Sequence, residues 1–140
     1  MAGKILLEVA TPDKLLLSQQ VDELIAPGVD GEFGVLPGHT YFLSMLKIGE
    51  LRYRVGDQIN YMSVLWGFAE VTPKKVTILA EIAEKAEDID VERAAQKVAE
   101  AEQRLKVGGL PSDLKEAQIS LEKARLRKRI AERAHKTGHV

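Results

Sequence analysis

The residues best placed to do chemistry lie in a glycine-rich run, GEFGVLPGH, at residues 31–39. His39 has the side chain of a general base, but no motif supplies it with a catalytic partner. The three glycines permit unusual backbone angles and Pro37 stiffens the run. Such a loop presents Glu32 and His39 in fixed positions, which favours recognition of another molecule. A histidine that only hydrogen-bonds to nearby backbone is the simpler alternative.

A second set of residues is suited to an anionic ligand. Glu84 precedes the sequence IDVERA, in which Asp90 is followed one turn later by Arg93. Lys123 and Arg127 lie one turn apart on a later helix, so a folded pair of helices would gather three cations. The arginine fork matches phosphate oxygens. In the alternative interpretation, Asp90 only caps a helix and Arg93 is solvated.

A third set is basic: Arg125, Arg129 and Arg133 form a ridge on the second helix. The helix has no interleaved aromatic residues and no large apolar anchors, so nucleic acid and lipid insertion are weak alternatives. An acidic protein surface is at least as good a target, and a solvated face is the simplest interpretation.

Motifs of the common catalytic classes are missing from the sequence. It contains no phosphate loop, no GxGxxG, no GxSxG and no HExxH. Because there is no cysteine, a thiolate nucleophile or metal ligand is excluded. The three histidines are not at metal-ligand spacing. We therefore expect a protein without catalytic residues, metal or required cofactor.

The first part of the chain has the pattern of a β-structure. Short β-prone runs separated by turn residues continue to about Leu79, and Gly56-Asp57 is typical of a two-residue hairpin turn. Many short strands at this spacing predict an antiparallel sandwich or barrel over residues 1–86.

Composition changes after Glu81 to strong helix formers. Asp90 is a good N-cap, Gly108-Gly109 ends the first helix, and Asp113 with Glu116 predicts a capping box that opens a second helix to about His135. Residues 87–140 are thus predicted to form an antiparallel helical hairpin. Its apolar stripes are mostly alanine, which buries little area, so we expect the hairpin to be weakly held and able to move.

Charge also separates the two parts. Residues 1–87 hold eight basic and twelve acidic residues and carry −4, whereas residues 88–140 hold twelve and nine and carry +3. This asymmetry suggests two units with different roles. The amino-terminal sequence has the pattern of neither a signal peptide nor a membrane span, so we expect a soluble, cytoplasmic protein.

The sequence resembles a known family, the epsilon subunit of bacterial F-type ATP synthase. The resemblance rests on LEVATPDKLLLS, VDELIAPGVDGEFGVLPGH, WGFAEVTPKKVTILAE and IDVERA, and it extends over essentially the whole chain. It implies a sandwich of about ten strands followed by the helical hairpin.

The resemblance also implies a function without catalysis. Members are rotor subunits that bind the gamma subunit and the c-ring and help couple proton flow to ATP synthesis. They are peripheral components on the cytoplasmic face of the bacterial inner membrane. In many, the hairpin extends into the catalytic head and inhibits ATP hydrolysis, with the basic ridge facing the alpha and beta subunits.

Site residues follow from the same resemblance. Glu32 and His39 would contact the c-ring, and a regulatory ATP would be held by residues at matching positions: Glu84, Asp90, Arg93, Lys123 and Arg127. Two positions depart from the nucleotide-binding pattern, because Glu100 and Lys123 stand where arginines are usual. Any ATP binding should therefore be weaker. A free-standing nucleotide sensor is the alternative function.

Overall fold

The computed structural model describes residues 3–137, with side chains for residues 3–134. The chain divides into two compact units, Met1–Lys85 and Ala86–Val140. The first contains eight strands: β1 Ile5–Thr11, β2 Lys14–Val21, β3 Glu23–Gly28, β4 Gly31–Val35, β5 Phe42–Leu46, β6 Gly49–Val55, β7 Gln58–Val71 and β8 Lys75–Lys85.

The strands enclose one core. They run in the order β2-β1-β8-β7-β5-β3-β4, and β6 pairs with both β3 and β7. The long strand β7 pairs with β6 through its first half and with β5 through its second, so it joins two layers. All pairs are antiparallel except β1 with β8. The core side chains come from the inward positions of all eight strands, with Ile5, Leu7, Leu24, Leu51, Met62 and Ile78 among the largest.

The predicted sandwich is confirmed, but the described residues form eight strands rather than about ten. Part of the difference arises at Gly67, where the sequence pattern predicts a break between two strands. In the structure it lies inside β7. Its φ is +153°, and a Cβ there would overlap the carbonyl oxygen of Leu79 on β8. Gly67 therefore allows a close approach of two strands instead of ending one.

The predicted hairpin turn at Gly56-Asp57 is present. Val55 and Gln58 are paired on either side of it, and Gly56 has φ +62°. A positive φ is the conformation in which glycine has the advantage over other residues.

The second unit begins with a 3-10 turn at Ala86–Asp88, followed by α1, Val91–Val107, and α2, Pro111–Thr137. Asp90 is the N-cap of α1, as predicted, and its Oδ1 accepts a hydrogen bond from the Arg93 amide at 3.1 Å. The predicted capping box of the second helix is wrong. The helix begins at Pro111, which suits a first helical position because its missing N–H would be unpaired there.

The two helices are antiparallel neighbours, and Arg125 of α2 lies 3.6 Å from the Glu102 carboxylate of α1. Small residues are buried on both helices, as the alanine-rich stripes predict. Leu126 and Ile130 are buried as well, so α2 buries larger side chains than the predicted alanine-rich stripe implies. Among residues 3–137 no helix is long and apolar enough to cross a membrane.

Candidate functional site

The loop after β4 holds His39 by several local contacts. The Gly38 amide donates to the Pro73 carbonyl at 2.9 Å, and the His39 amide donates to the Leu36 carbonyl at 3.1 Å. The His39 ring lies 6.2 Å from the ring of Phe42, which packs edge-on against Phe33 at 5.1 Å. The loop is thus fixed by backbone bonds and by an aromatic cluster.

The tautomer of His39 follows from one more contact. Its Nδ1 lies 2.7 Å from the Thr40 carbonyl oxygen. Since a carbonyl can only accept, Nδ1 donates, and Nε2 is the ring nitrogen left to meet another molecule. The simpler alternative, a histidine bonded to local backbone, is therefore observed, and this bond orients the ring.

Glu32 was predicted to lie on a loop together with His39, but it lies on strand β4, where it is exposed and takes part in an ion cluster. The NH1 nitrogen of Arg52 lies 3.3 Å from Glu32 Oε2 and 2.9 Å from Glu50 Oε2. Glu50 is only 7% exposed, and its hydrogen bond raises the pKa of Arg52 above the usual value. Sequence reasoning missed Arg52 and Glu50, because their approach to Glu32 depends on the register of three strands.

An exposed apolar row, also missed by sequence reasoning, crosses three strands. Met45 pairs with Phe68, and Phe68 pairs with Leu79, so the three share one face. Leu43 lies two residues from Met45 on the same face, and these two side chains are 68% and 59% exposed. Apolar residues at outward positions of FLSML are the sequence signal. A contiguous apolar patch of this kind is typical of a protein interface.

The predicted anion-site residues lie on β8, at the start of α1 and on α2. Glu84 belongs to β8 of the first unit, whereas the others belong to the second. Lys123 and Arg127 lie one turn apart on α2, as the sequence predicts, and Arg93 is in the first turn of α1. Asp90 acts as an N-cap, as in the simpler interpretation.

A depression of about 780 Å³ beside Asp90 is large enough for a nucleotide, but its lining is acidic. Two apolar residues accompany five carboxylates there: Glu87, Asp88, Asp90, Glu92 and Glu132. Such a lining repels phosphates. Across the described part of the chain, no group of three or more histidine or carboxylate side chains could hold a metal ion.

The basic ridge lies on α2 as predicted. Arg125 and Arg129 are exposed, and Arg133 is half-buried. Arg125 is engaged by Glu102 across the hairpin. In the folded hairpin, therefore, one member of the ridge is already paired with an acidic group.

These features define a class of protein: a β-sandwich followed by a helical hairpin, with exposed polar and apolar surfaces suited to contact with another molecule. Two family models match, the beta-sandwich domain of the ATP synthase delta/epsilon chain over residues 4–86 and its long alpha-helix domain over residues 87–132. The chain belongs to the ATP synthase delta/epsilon chain family.

Relatives agree with this assignment. The ATP synthase epsilon chain of Syntrophobacter fumaroxidans is 49% identical over 95% of this chain and 99% of its own length. That of Nitratidesulfovibrio vulgaris is 50% identical over 93% and 97%. The prediction of an ATP synthase epsilon subunit is confirmed.

Solved structures agree as well. A chain in the Euglena gracilis mitochondrial ATP synthase, OSCP/F1/c-ring, matches with TM-score 0.77 and 27% identity over 88% of this chain and 78% of that one. One in the Tetrahymena thermophila central stalk and c-ring has TM-score 0.61, 13% identity and coverage of 93% and 98%, which supports the fold.

Proposed function

We propose that the chain is a non-catalytic subunit of the central stalk of F-type ATP synthase, which helps couple proton flow to ATP synthesis. The observation that carries this proposal is the presence of two different recognition surfaces on one sandwich. One is the GEFGVLPGH loop with Glu32 and His39, and the other is the exposed apolar row. A rotor subunit that joins two neighbours needs two such surfaces.

The two surfaces suit different partners. The loop offers a carboxylate and an imidazole nitrogen, so it is assigned to the polar end of the c-ring. The apolar row, Leu43, Met45, Phe68 and Leu79, is assigned to the gamma subunit, because a contiguous exposed apolar patch is typical of a protein–protein interface. The complex lies at the membrane, and we place this subunit on the cytoplasmic face of a bacterial inner membrane.

The hairpin is assigned a regulatory role. Its ridge of Arg125, Arg129 and Arg133 suits acidic segments of the catalytic beta and alpha subunits, and an extended hairpin would reach them. Of the eight buried residues that the structure describes on the two helices, five are alanines, which contribute little burial energy each, so a change of packing is opposed mainly by Leu121, Leu126 and Ile130. Inhibition of ATP hydrolysis follows if the extended form is populated.

Phe68→Glu is expected to weaken binding to a complex of gamma and c-ring at least 30-fold, because a charge then replaces a central apolar contact. Biolayer interferometry with the immobilised complex measures it. Ile59→Glu is the matched control: Ile59 is 47% exposed, against 38% for Phe68, but lies outside the row. Equal affinities of the Phe68→Glu and unaltered chains would contradict the gamma assignment.

Regulatory ATP, if it binds this chain, should bind weakly, with half-saturation in the millimolar range. The lining of the depression is acidic, which opposes a triphosphate, and Glu100 and Lys123 depart from the nucleotide-binding pattern. Calorimetric titration with Mg-ATP tests this, with Arg93→Ala as the control for specific binding. The double variant Glu100→Arg, Lys123→Arg should bind about tenfold more tightly or better. Micromolar binding by the unaltered chain would contradict this account and favour the nucleotide-sensor alternative.

A further inference from the structure

The ion cluster on the outer face of β4 and β6 contains a buried anchor. Glu50 is 7% exposed and accepts the shorter of the two Arg52 bonds, 2.9 Å. Glu32 is 53% exposed and lies at the longer distance, 3.3 Å. A buried carboxylate is stable only when paired, so the Glu50–Arg52 bond fixes the guanidinium. Glu50 therefore fixes Arg52, and Arg52 in turn fixes Glu32.

Strand register explains how Arg52 reaches Glu32 across an intervening strand. Ile25 of β3 is paired with Gly34 on one side and Arg52 on the other. Glu32 lies two residues from Gly34 and therefore on the same face. Arg52 is on this face as well, so its guanidinium reaches Glu32 over β3.

We infer that Arg52 is a positioning residue that orients the Glu32 carboxylate for its contact with the partner of the GEFGVLPGH loop. Arg52 bonds one oxygen, Oε2, which directs the other, Oε1, away from the cluster toward a hydrogen-bond donor on the partner. Without this constraint the exposed glutamate samples several rotamers and must be ordered on binding. The inference rests on the proposed function, in which that loop binds the c-ring.

The test is a double-mutant cycle on the full chain. ATP synthase depleted of this chain is reconstituted in liposomes, and ATP-driven proton pumping is titrated with added chain to obtain the half-saturating concentration. Arg52→Gln and Glu32→Gln should each raise it roughly 3- to 10-fold. The double variant Glu32→Gln, Arg52→Gln should be no weaker than Glu32→Gln alone, because the two residues act through one contact.

Arg52→Lys guards against a simple folding defect. One guanidinium nitrogen makes both bonds, so an ammonium group can replace it, and this variant should retain most of the affinity. Additive effects of Arg52→Gln and Glu32→Gln, or equal losses with Gln and Lys at position 52, would overturn the positioning role. No effect of Glu32→Gln would instead overturn the assignment of the loop to the c-ring.

Discussion

A chain that ends at Lys85 is expected to raise ATP hydrolysis by the assembled ATP synthase about fivefold or more, the lower range of coupling between distant sites. The sandwich should survive the truncation, because every member of its core cluster lies within residues 5–83. Rotor binding should survive as well, since both proposed recognition surfaces are in the first unit. The measurement is steady-state hydrolysis with equal amounts of full-length and truncated chain.

A variant that lacks the three arginines tests whether inhibition depends on the basic ridge or on the rest of the hairpin. Arg125→Ala, Arg129→Ala, Arg133→Ala should reproduce much of the increase in hydrolysis, because acidic segments of the catalytic subunits then lose their partners. The matched control removes three exposed cations of α1, Lys97, Arg104 and Lys106, and should leave inhibition in place. Hydrolysis that does not change on truncation would contradict the inhibitory role while leaving the rotor role intact.

Gly67→Ala is expected to lower the free energy of unfolding of the sandwich by about 4 kcal/mol, among the largest effects of a single substitution. The new Cβ would overlap the Leu79 carbonyl oxygen and lie 2.8 Å from Ala80 Cα, so β7 and β8 must separate. The melting midpoint should fall by roughly 15 °C or more. Thermal unfolding followed by circular dichroism measures it.

Gly56→Ala is the control for backbone conformation alone. Gly56 also has a positive φ, +62°, but a Cβ there meets no atom within 4 Å. The substitution should lower the free energy of unfolding by only about 1–2 kcal/mol, the cost of placing an alanine in the left-handed backbone conformation. If both variants lost the same stability, strand approach at Gly67 would not be the reason for that glycine.

Local features of the fold were predictable from sequence. The Asp90 cap and the Gly56-Asp57 turn each depend on a few adjacent residues, and both are present. The start of α2 was misjudged because Pro111 can end one helix or open another, and only the structure separates these roles. The prediction of a strand break at Gly67 was wrong for a similar reason. A glycine can end a strand or allow a neighbouring strand to approach closely, and the sequence does not distinguish these two roles.

Some residues of the candidate sites could likewise be identified from sequence, and others could not. Glu32 and His39 could be singled out because the glycines around them are close in sequence. Arg52, Glu50 and the apolar row could not, since each depends on which residues lie opposite on neighbouring strands. The anion-site residues Arg93, Lys123 and Arg127 suit phosphate by type, and their binding of ATP stays a prediction.

The central claim, a rotor subunit that couples through its sandwich, is tested most directly by ATP-driven proton pumping. ATP synthase lacking this chain is reconstituted in liposomes, and the unaltered chain is added at a stoichiometric amount while lumenal acidification is recorded. The account predicts that acidification returns, and that the chain ending at Lys85 restores it as well. If the chain joined the complex and acidification did not return, the proposed coupling function would be contradicted.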